Sequence, residues 1–273
     1  MSNTIFITGA SSGIGKETAK LFQSKEWNVV ATMRSPDKEQ ELTKLDNVFI
    51  TRLDVTDDVS IKSAIDEGIK TFGKIDVLLN NAGYGAYGPL EAFEKSRIRR
   101  QFDTNVIGLI ETTRTMLAHF RANKSGIIVN ISSIAGKMTF PLGTLYHGTK
   151  FAVEGLSESL HFELEPIGIK VKIVEPGLIA TDFGGRSFDF ANDESLHEYQ
   201  PVVLKLIEAF GGQAFQAQAS PASVVADVIW EAVTDGTNTL RYTAGEDAKK
   251  YFAARKALSD EEFIGGVKKQ FGL

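Results

Sequence analysis

Short runs rich in Val, Ile and Leu recur along the chain, and most are followed by a longer stretch in which apolar residues return at helical spacing. The runs are Thr4–Thr8, Asn28–Met33, Val48–Leu53, Asp76–Asn80, Gly126–Ser132, Lys170–Glu175 and, more weakly patterned, Thr239–Thr243. Near-continuous apolar strands belong to parallel sheets covered on both faces, and parallel neighbours need helical crossovers to connect them. Lys16–Lys25 sets Thr18, Ala19, Leu21 and Phe22 on one stripe, and Val59–Phe72 repeats Ile61, Ala64, Ile65, Ile69 and Phe72, both suited to such crossovers. Longer helical patterns cover Ser96–Asn123 and Tyr146–Ile167, the second closed by Gly168, a residue suited to the left-handed position past a helix. The pattern predicts an α/β, doubly wound Rossmann-type fold with a seven-stranded, mostly parallel sheet and helices on both faces.

No Pro-, Gly- or Ser-rich linker, internal repeat or low-complexity tract divides the chain, so residues 1–273 read as a single domain. The stretch 182–220 is longer than a strand-to-helix connection needs before the helix announced by Ser220-Pro221. It is expected to form a substrate-binding loop or lid, with 247–273 as a helical C-terminal tail. Composition narrows the chemistry. Lys and Arg number 30 against 35 Asp and Glu, a formal charge of −5, which offers no basic field for nucleic acid. The absence of Cys removes disulfides, thiolate metal sites and thiol nucleophiles, and the four His residues show no metal-ligand spacing. No apolar run approaches the roughly 18 residues of a membrane span, and no charged-then-apolar leader opens the chain. The expectation is a cytoplasmic protein without membrane, nucleic-acid or metal partners.

Thr8-Gly9-Ala10-Ser11-Ser12-Gly13-Ile14-Gly15 follows the first strand and opens the first helix, where glycines let backbone N–H groups approach a pyrophosphate at a positive helix end. The spacing is not the usual G-x-G-x-x-G of dinucleotide sites, and a ligand-free turn would use the same residues. Gly9–Gly13 also fits the G-x-S-x-G elbow of a hydrolase with Ser11 as nucleophile, yet only one strand precedes it and leaves no loop for an oxyanion donor. Tyr146 and Lys150, four apart in a helical pattern, share one face, and an ammonium there is expected to lower the phenol's pKa toward a useful acid-base range. Thirteen residues upstream of Tyr146, Ser133 follows Ser132 at the carboxyl end of the Gly126–Ser132 strand, and ligands bind at such ends in this architecture.

Taken in order, Thr8–Gly15, Asn80-Asn81-Ala82-Gly83, Tyr146-x-x-x-Lys150 and Pro176-Gly177 resemble the single-domain branch of the short-chain dehydrogenase/reductase family, with spacing intact from Thr4 to about Thr181. The resemblance implies hydride exchange between a nicotinamide cofactor and a carbonyl or alcohol. It assigns Ser133 to the substrate oxygen, Tyr146 to proton transfer, Lys150 to the phenol and the nicotinamide ribose, and the main chain of Asn105 to a water beside Lys150. Ser132 is the alternative to Ser133, and family spacing selects the latter, leaving Ser132 to backbone partners. Cofactor contacts are implied for Gly9, Ser11, Ser12, Gly13, Ile14, Gly15, Asp54, Val55, Asn81, Ala82, Gly83, Tyr146, Lys150, Pro176, Gly177, Ile179 and Thr181.

Met33 stands where NAD-preferring relatives carry an acid for the ribose 2′-hydroxyl, and Arg34 follows with a guanidinium able to hold a 2′-phosphate, so NADP(H) is expected over NAD(H). Asp37 is an alternative ribose partner, and Lys38 a second phosphate cation. The substrate pocket is expected to include Ser133, Tyr146, Tyr84, Phe140, Gly143 and Phe183, with Met138, Leu142, Leu145, Phe188 and Phe190 as further candidates, and to take a largely apolar ketone or aldehyde. Relatives commonly form homodimers or homotetramers on the two long helices. The competing reading is a non-catalytic NADP(H)-binding regulatory protein, against which the intact Asn105, Ser133, Tyr146 and Lys150 argue. An epimerase or dehydratase would need a larger substrate region than the residues after Thr181.

Overall fold

A computed structural model describes residues 2–181, 187–212 and 217–273. β1 (Thr4–Ile7), β2 (Asn28–Met33), β3 (Val48–Arg52), β4 (Val77–Asn80), β6 (Gly126–Ile131), β7 (Ile169–Pro176) and β11 (Arg241–Ala244) form one seven-stranded sheet. Its order is β11-β7-β6-β4-β1-β2-β3, and every pairing is parallel. β1 is wholly buried, as a strand covered on both faces must be. From β1 the chain winds outward to β2 and β3, then returns to β4 on the other side. The loops leaving β1 and β4 therefore part in opposite directions and open a crevice at their carboxyl ends.

α1 (Gly13–Ser24) turns Thr18, Ala19 and Phe22 inward. Phe22 meets Trp27 and Trp230 edge-on at 5.1 Å each, in the core on one side of the sheet. α2 (Asp58–Phe72) starts under the Asp57 carboxylate, which accepts from the Val59 and Ser60 N–H groups at 3.1 Å, and buries Ile61, Ala64 and Ile65. These residues join Phe6, Met116 and Phe120 in the opposite core. Full burial of one such large apolar side chain contributes about 1.5–3 kcal/mol.

The predicted helix over Ser96–Asn123 is interrupted: α3 (Lys95–Phe102) and α4 (Gly108–Asn123) are joined by one π-helical turn, Asp103–Ile107. α5 (Thr144–Leu164) passes through a 3-10 turn and stops at Gly168, whose φ of 80° matches the expected left-handed position. The long connection carries more structure than its sequence predicted. β9 (Phe188–Phe190) pairs with β5 (Gly85–Tyr87), and the Arg97 guanidinium grips Asp189 through two hydrogen bonds. α6 (Gln200–Gly211) follows, and β8 (Ile179–Ala180) pairs with β10 (Ser220–Pro221), which leads into α7 (Ala222–Thr234). The C-terminal segment folds as α8 (Glu246–Ala257) and α9 (Asp260–Gln270), the latter opened by a Ser259–Glu262 capping box. Among the described residues no helix is long and apolar enough to cross a membrane.

Candidate active site

The loops at the carboxyl ends of the strands surround one cleft of about 1430 Å³. At one end stands the start of α1. Ser12 is extended there but gives no side-chain hydrogen bond to the first turn, which also lacks an acidic residue. With no side chain to cap them, the first amide N–H groups of this positive helix end suit an anion. Gly9, Ser11, Ser12, Gly13 and Ile14 line the cleft beside it. Gly13 has a φ of 53°, and a Cβ there would press on Thr181 at 3.3 Å.

Gly15 does not line the cleft. A Cβ at Gly15 would come within 2.4 Å of the Gly9 carbonyl oxygen, so this glycine brings the helix against the loop and leaves the ligand surface to its neighbours. Asn81 braces the same loop from β4: its amide donates to the Thr8 carbonyl at 2.9 Å and the Gly9 carbonyl at 3.0 Å. The Thr8 hydroxyl accepts from the Asn81 and Ala82 N–H groups at 3.0 Å. Asn81, Ala82 and Gly83 all reach the cleft.

Exposed Arg34 follows β2 into the cleft, whereas Asp37 and Lys38 sit in a 3-10 turn away from its lining. Asp54 and Val55 form the facing wall with Thr56. Burial pushes the Asp54 carboxyl up, but hydrogen bonds from the Thr56 N–H and hydroxyl, at 3.0 and 2.8 Å, together with the charges of Arg34 and Arg52, hold it below its ordinary value. Pro176, Gly177, Ile179 and Thr181 line the cleft farther along, past β7.

At the other end, Ser133 caps a 3-10 turn, its hydroxyl accepting from the Ala135 N–H at 3.1 Å and bonding to the Tyr146 phenol. The neighbouring Ser132 hydroxyl is buried without a hydrogen-bond partner, against the expectation that it serves the backbone. Ser132 faces the space beside Gly136, where a Cβ would approach its oxygen at 2.7 Å. Lys150 lies one turn after Tyr146 on α5, its ammonium 5.7 Å from the phenol ring centroid and donating to the Ile131 carbonyl at 2.8 Å.

Burial pushes the Tyr146 phenol up to about 12, and the bond from Ser133 only partly opposes this. Desolvation likewise lowers the Lys150 ammonium to about 8, against the pull of Glu154.

Asn105 lies behind the cleft, at the π-helical turn. Its side-chain oxygen accepts from the Tyr84 N–H at 3.0 Å, and its amide donates to the Tyr84 carbonyl at 2.8 Å and the Thr149 hydroxyl at 3.2 Å. The side chain thus ties the strand-end loop to α5, a role that the helical pattern does not disclose.

Tyr84, Phe140 and Phe188 line the expected substrate end, but Gly143 does not: it packs against His147 and Tyr87 at the start of α5. Met138, Leu142, Leu145 and Phe190 are likewise absent from the lining, and Phe183 lies outside the described residues. His147 accepts from the Phe140 N–H at 3.0 Å and reaches the Ala135 carbonyl at 3.1 Å; burial lowers its pKa, so the neutral ring braces the wall.

The sequence reading missed Tyr87, Arg100, Phe210, Asp247, Tyr251 and Phe271, all of which line the cleft. Tyr87 stacks on Phe188 at 5.3 Å and lies 5.6 Å from Tyr146, while Phe140 meets Tyr251 edge-on at 5.2 Å. Asp247, from α8, accepts the Leu178 N–H at 2.6 Å and so ties the tail to the loop after β7. Only the fold brings these distant residues together. Among the described residues no group of three or more His, Cys, Asp or Glu could hold a metal.

A profile of the short chain dehydrogenase family matches residues 3–191. An uncharacterized oxidoreductase of Schizosaccharomyces pombe is 42% identical over 246 residues, covering 88% of this chain and 100% of that protein. Among solved structures, a short-chain dehydrogenase from Streptomyces avermitilis superposes with a TM-score of 0.85 at 30% identity, covering 100% of this chain and 98% of that one. ElxO with NADP bound gives 0.76 at 28% identity, covering 92% and 100%. The chain belongs to the short-chain dehydrogenase family of oxidoreductases.

Proposed function

We propose that this protein is an NADP(H)-dependent oxidoreductase interconverting a largely apolar ketone or aldehyde with its alcohol, with Tyr146 as general acid and base. The observation that carries the reading is one cleft with two ends: an uncapped helix start beside Arg34, and Ser133, Tyr146 and Lys150. The residues fit the cofactor. The Gly9–Ile14 loop would take the pyrophosphate, Arg34 the 2′-phosphate, Asp54 and Val55 the adenine edge, Asn81–Gly83 the adjoining ribose, and Lys150 with the Pro176–Thr181 segment the nicotinamide end. When bound, NADPH supplies the hydride that carbonyl reduction needs.

The remaining work falls to the chain. Ser133 and Tyr146 donate hydrogen bonds to the substrate oxygen, where negative charge develops. With its pKa raised to about 12, the phenol keeps its proton at neutral pH and has it available to give to that oxygen. Lys150 places a positive charge behind the phenol as it becomes phenolate. Tyr87, Phe140, Phe188, Phe210, Tyr251 and Phe271 supply an aromatic wall that excludes water and favours an apolar substrate. Phe210 and Gln218 bring the 182–220 segment to that wall, which supports its reading as the substrate-binding loop.

The test is consumption of NADPH and, separately, NADH by purified protein against carbonyls from small aldehydes to bulky cyclic ketones. NADPH-linked turnover is expected, falling about 10²-fold or more in Tyr146→Phe with NADPH binding retained. NADPH binding without turnover of any carbonyl would leave a cofactor-binding protein instead.

A further inference from the structure

Behind Lys150 the fold buries two carboxyl groups that the reaction above does not use. Glu154 lies one turn after Lys150 on α5, and Glu175 lies on β7; their side chains are 6% and 4% exposed. Arg241 of β11 joins them, its Nε 3.0 Å from Glu154 Oε2 and 3.6 Å from Glu175 Oε1, while its Nη2 reaches Glu158 at the surface. Each buried carboxyl has an Oε1 atom without a hydrogen-bond donor.

Two ionised carboxylates so placed would repel, and burial penalises both charges. One proton held between them supplies the missing donor. Burial and the neighbouring Glu154 push the Glu175 pKa up to about 7, while Arg241 and Lys137 oppose the rise, so the pair shares one proton. Arg241 hydrogen-bonds Glu154 and pairs with the negative charge that remains on the two groups.

Burial disfavours the Lys150 ammonium, and the charge acting against that penalty is Glu154. The other groups facing this region are Tyr146 and Glu158 on α5, Lys137 in the turn after β6, Glu175 on β7 and Arg241 on β11. The Ile131 carbonyl of β6 accepts one ammonium proton but carries no net charge to offset the others.

We propose that Glu154 is a positioning residue for the Tyr146–Lys150 pair: one turn after Lys150 on α5, gripped by Arg241 and backed by Glu175, it supplies the negative charge that holds Lys150 as an ammonium. The carboxyl pair thereby sets the alkaline limit of Lys150's charge. The catalytic consequence rests on the oxidoreductase reading, but the protonation state of Lys150 can be read without turnover.

The experiment is a pH titration of the full chain labelled with 13Cε-lysine, followed by NMR, with the Lys150 signal assigned by its loss in Lys150→Arg. The signal should titrate near 8 in the parent protein and about one unit lower in Glu154→Gln, a tenfold loss of proton affinity. Arg241→Gln lets the carboxyl pair take up a second proton and should lower the midpoint in the same direction, whereas Arg241→Lys should restore it. Where turnover is present, its alkaline limb should move down with the NMR midpoint while the KM for the carbonyl stays put. An unchanged Lys150 midpoint in either folded variant, Glu154→Gln or Arg241→Gln, overturns the proposal. A lowered midpoint in a protein that turns over no carbonyl would sustain it and overturn only the oxidoreductase reading.

Discussion

Arg34 illustrates how much one side chain can decide. Its exposed guanidinium follows Met33 into the cleft, and its charge helps to hold the Asp54 carboxyl below its ordinary value. Hydrogen bonds to a charged group are worth about 1.5–3 kcal/mol, so Arg34→Ala should weaken NADPH binding about 10- to 100-fold. NADH affinity should stay within about 2-fold, and fluorescence titration of both cofactors measures the difference. Equal losses would remove Arg34 from the phosphate site. Tyr146 shows the converse dependence, since its phenol is governed by surroundings that no single neighbour in the sequence reveals. A protonated phenol at neutral pH suits donation to a carbonyl, and the lysine behind it loses its charge only as pH rises through about 8.

At the scale of elements, the π-helical turn between α3 and α4 places Asn105 where an uninterrupted α-helix would not. Insertions of this kind recur at functional sites because they break the regular pairing of the helix. Here the side chain satisfies both backbone groups of Tyr84 and reaches Thr149, joining the end of β4 to the helix of Tyr146 and Lys150. Asn105→Ala would leave the Tyr84 N–H without its partner, at about 1–3 kcal/mol, while the Tyr84 carbonyl keeps the hydrogen bond from Gln101 at 3.0 Å. Urea denaturation should therefore show a loss of about 1–3 kcal/mol, accompanied by reduced turnover. A fully stable Asn105→Ala protein would show that the amide is dispensable to the turn. α1 follows the opposite logic, because its first turn is left without a side-chain cap at the place where a bound anion would supply one.

Across the whole molecule, the cleft is completed by residues far apart along the chain. The tail helices carry Asp247 and Tyr251 to the loop after β7, and Phe271 follows α9 to the same wall. The Asp247 carboxylate fills the space beside Gly177 and takes the Leu178 N–H, holding in place the segment proposed for the nicotinamide end. Asp247→Ala should raise the Kd for NADPH about 10-fold, the lower part of the 1–3 kcal/mol range for an unsatisfied buried N–H. Calorimetric titration against the parent protein checks this, and unchanged affinity would confine Asp247 to packing the tail.

The seven strands, the crossover helices and the glycine-rich turn were legible because each leaves a local signature. Strands buried on both faces must be apolar throughout, as in Thr4–Ile7, and a crossover helix must repeat its buried stripe, as at Ile61, Ala64 and Ile65. Spacing alone likewise put Tyr146 and Lys150 on one helix face. The sequence therefore determined the winding of the sheet, the crevice where it reverses, and the residue types brought to it. Tertiary structure decided which side chains share the cleft: Gly143 turns to packing, Phe271 and Asp247 enter from the tail, and Glu154, Glu175 and Arg241 meet behind Lys150. Burial, desolvation and charge proximity depend on distances through space, which periodicity does not encode, and so the raised phenol of Tyr146 and the lowered ammonium of Lys150 emerge only once the chain is folded.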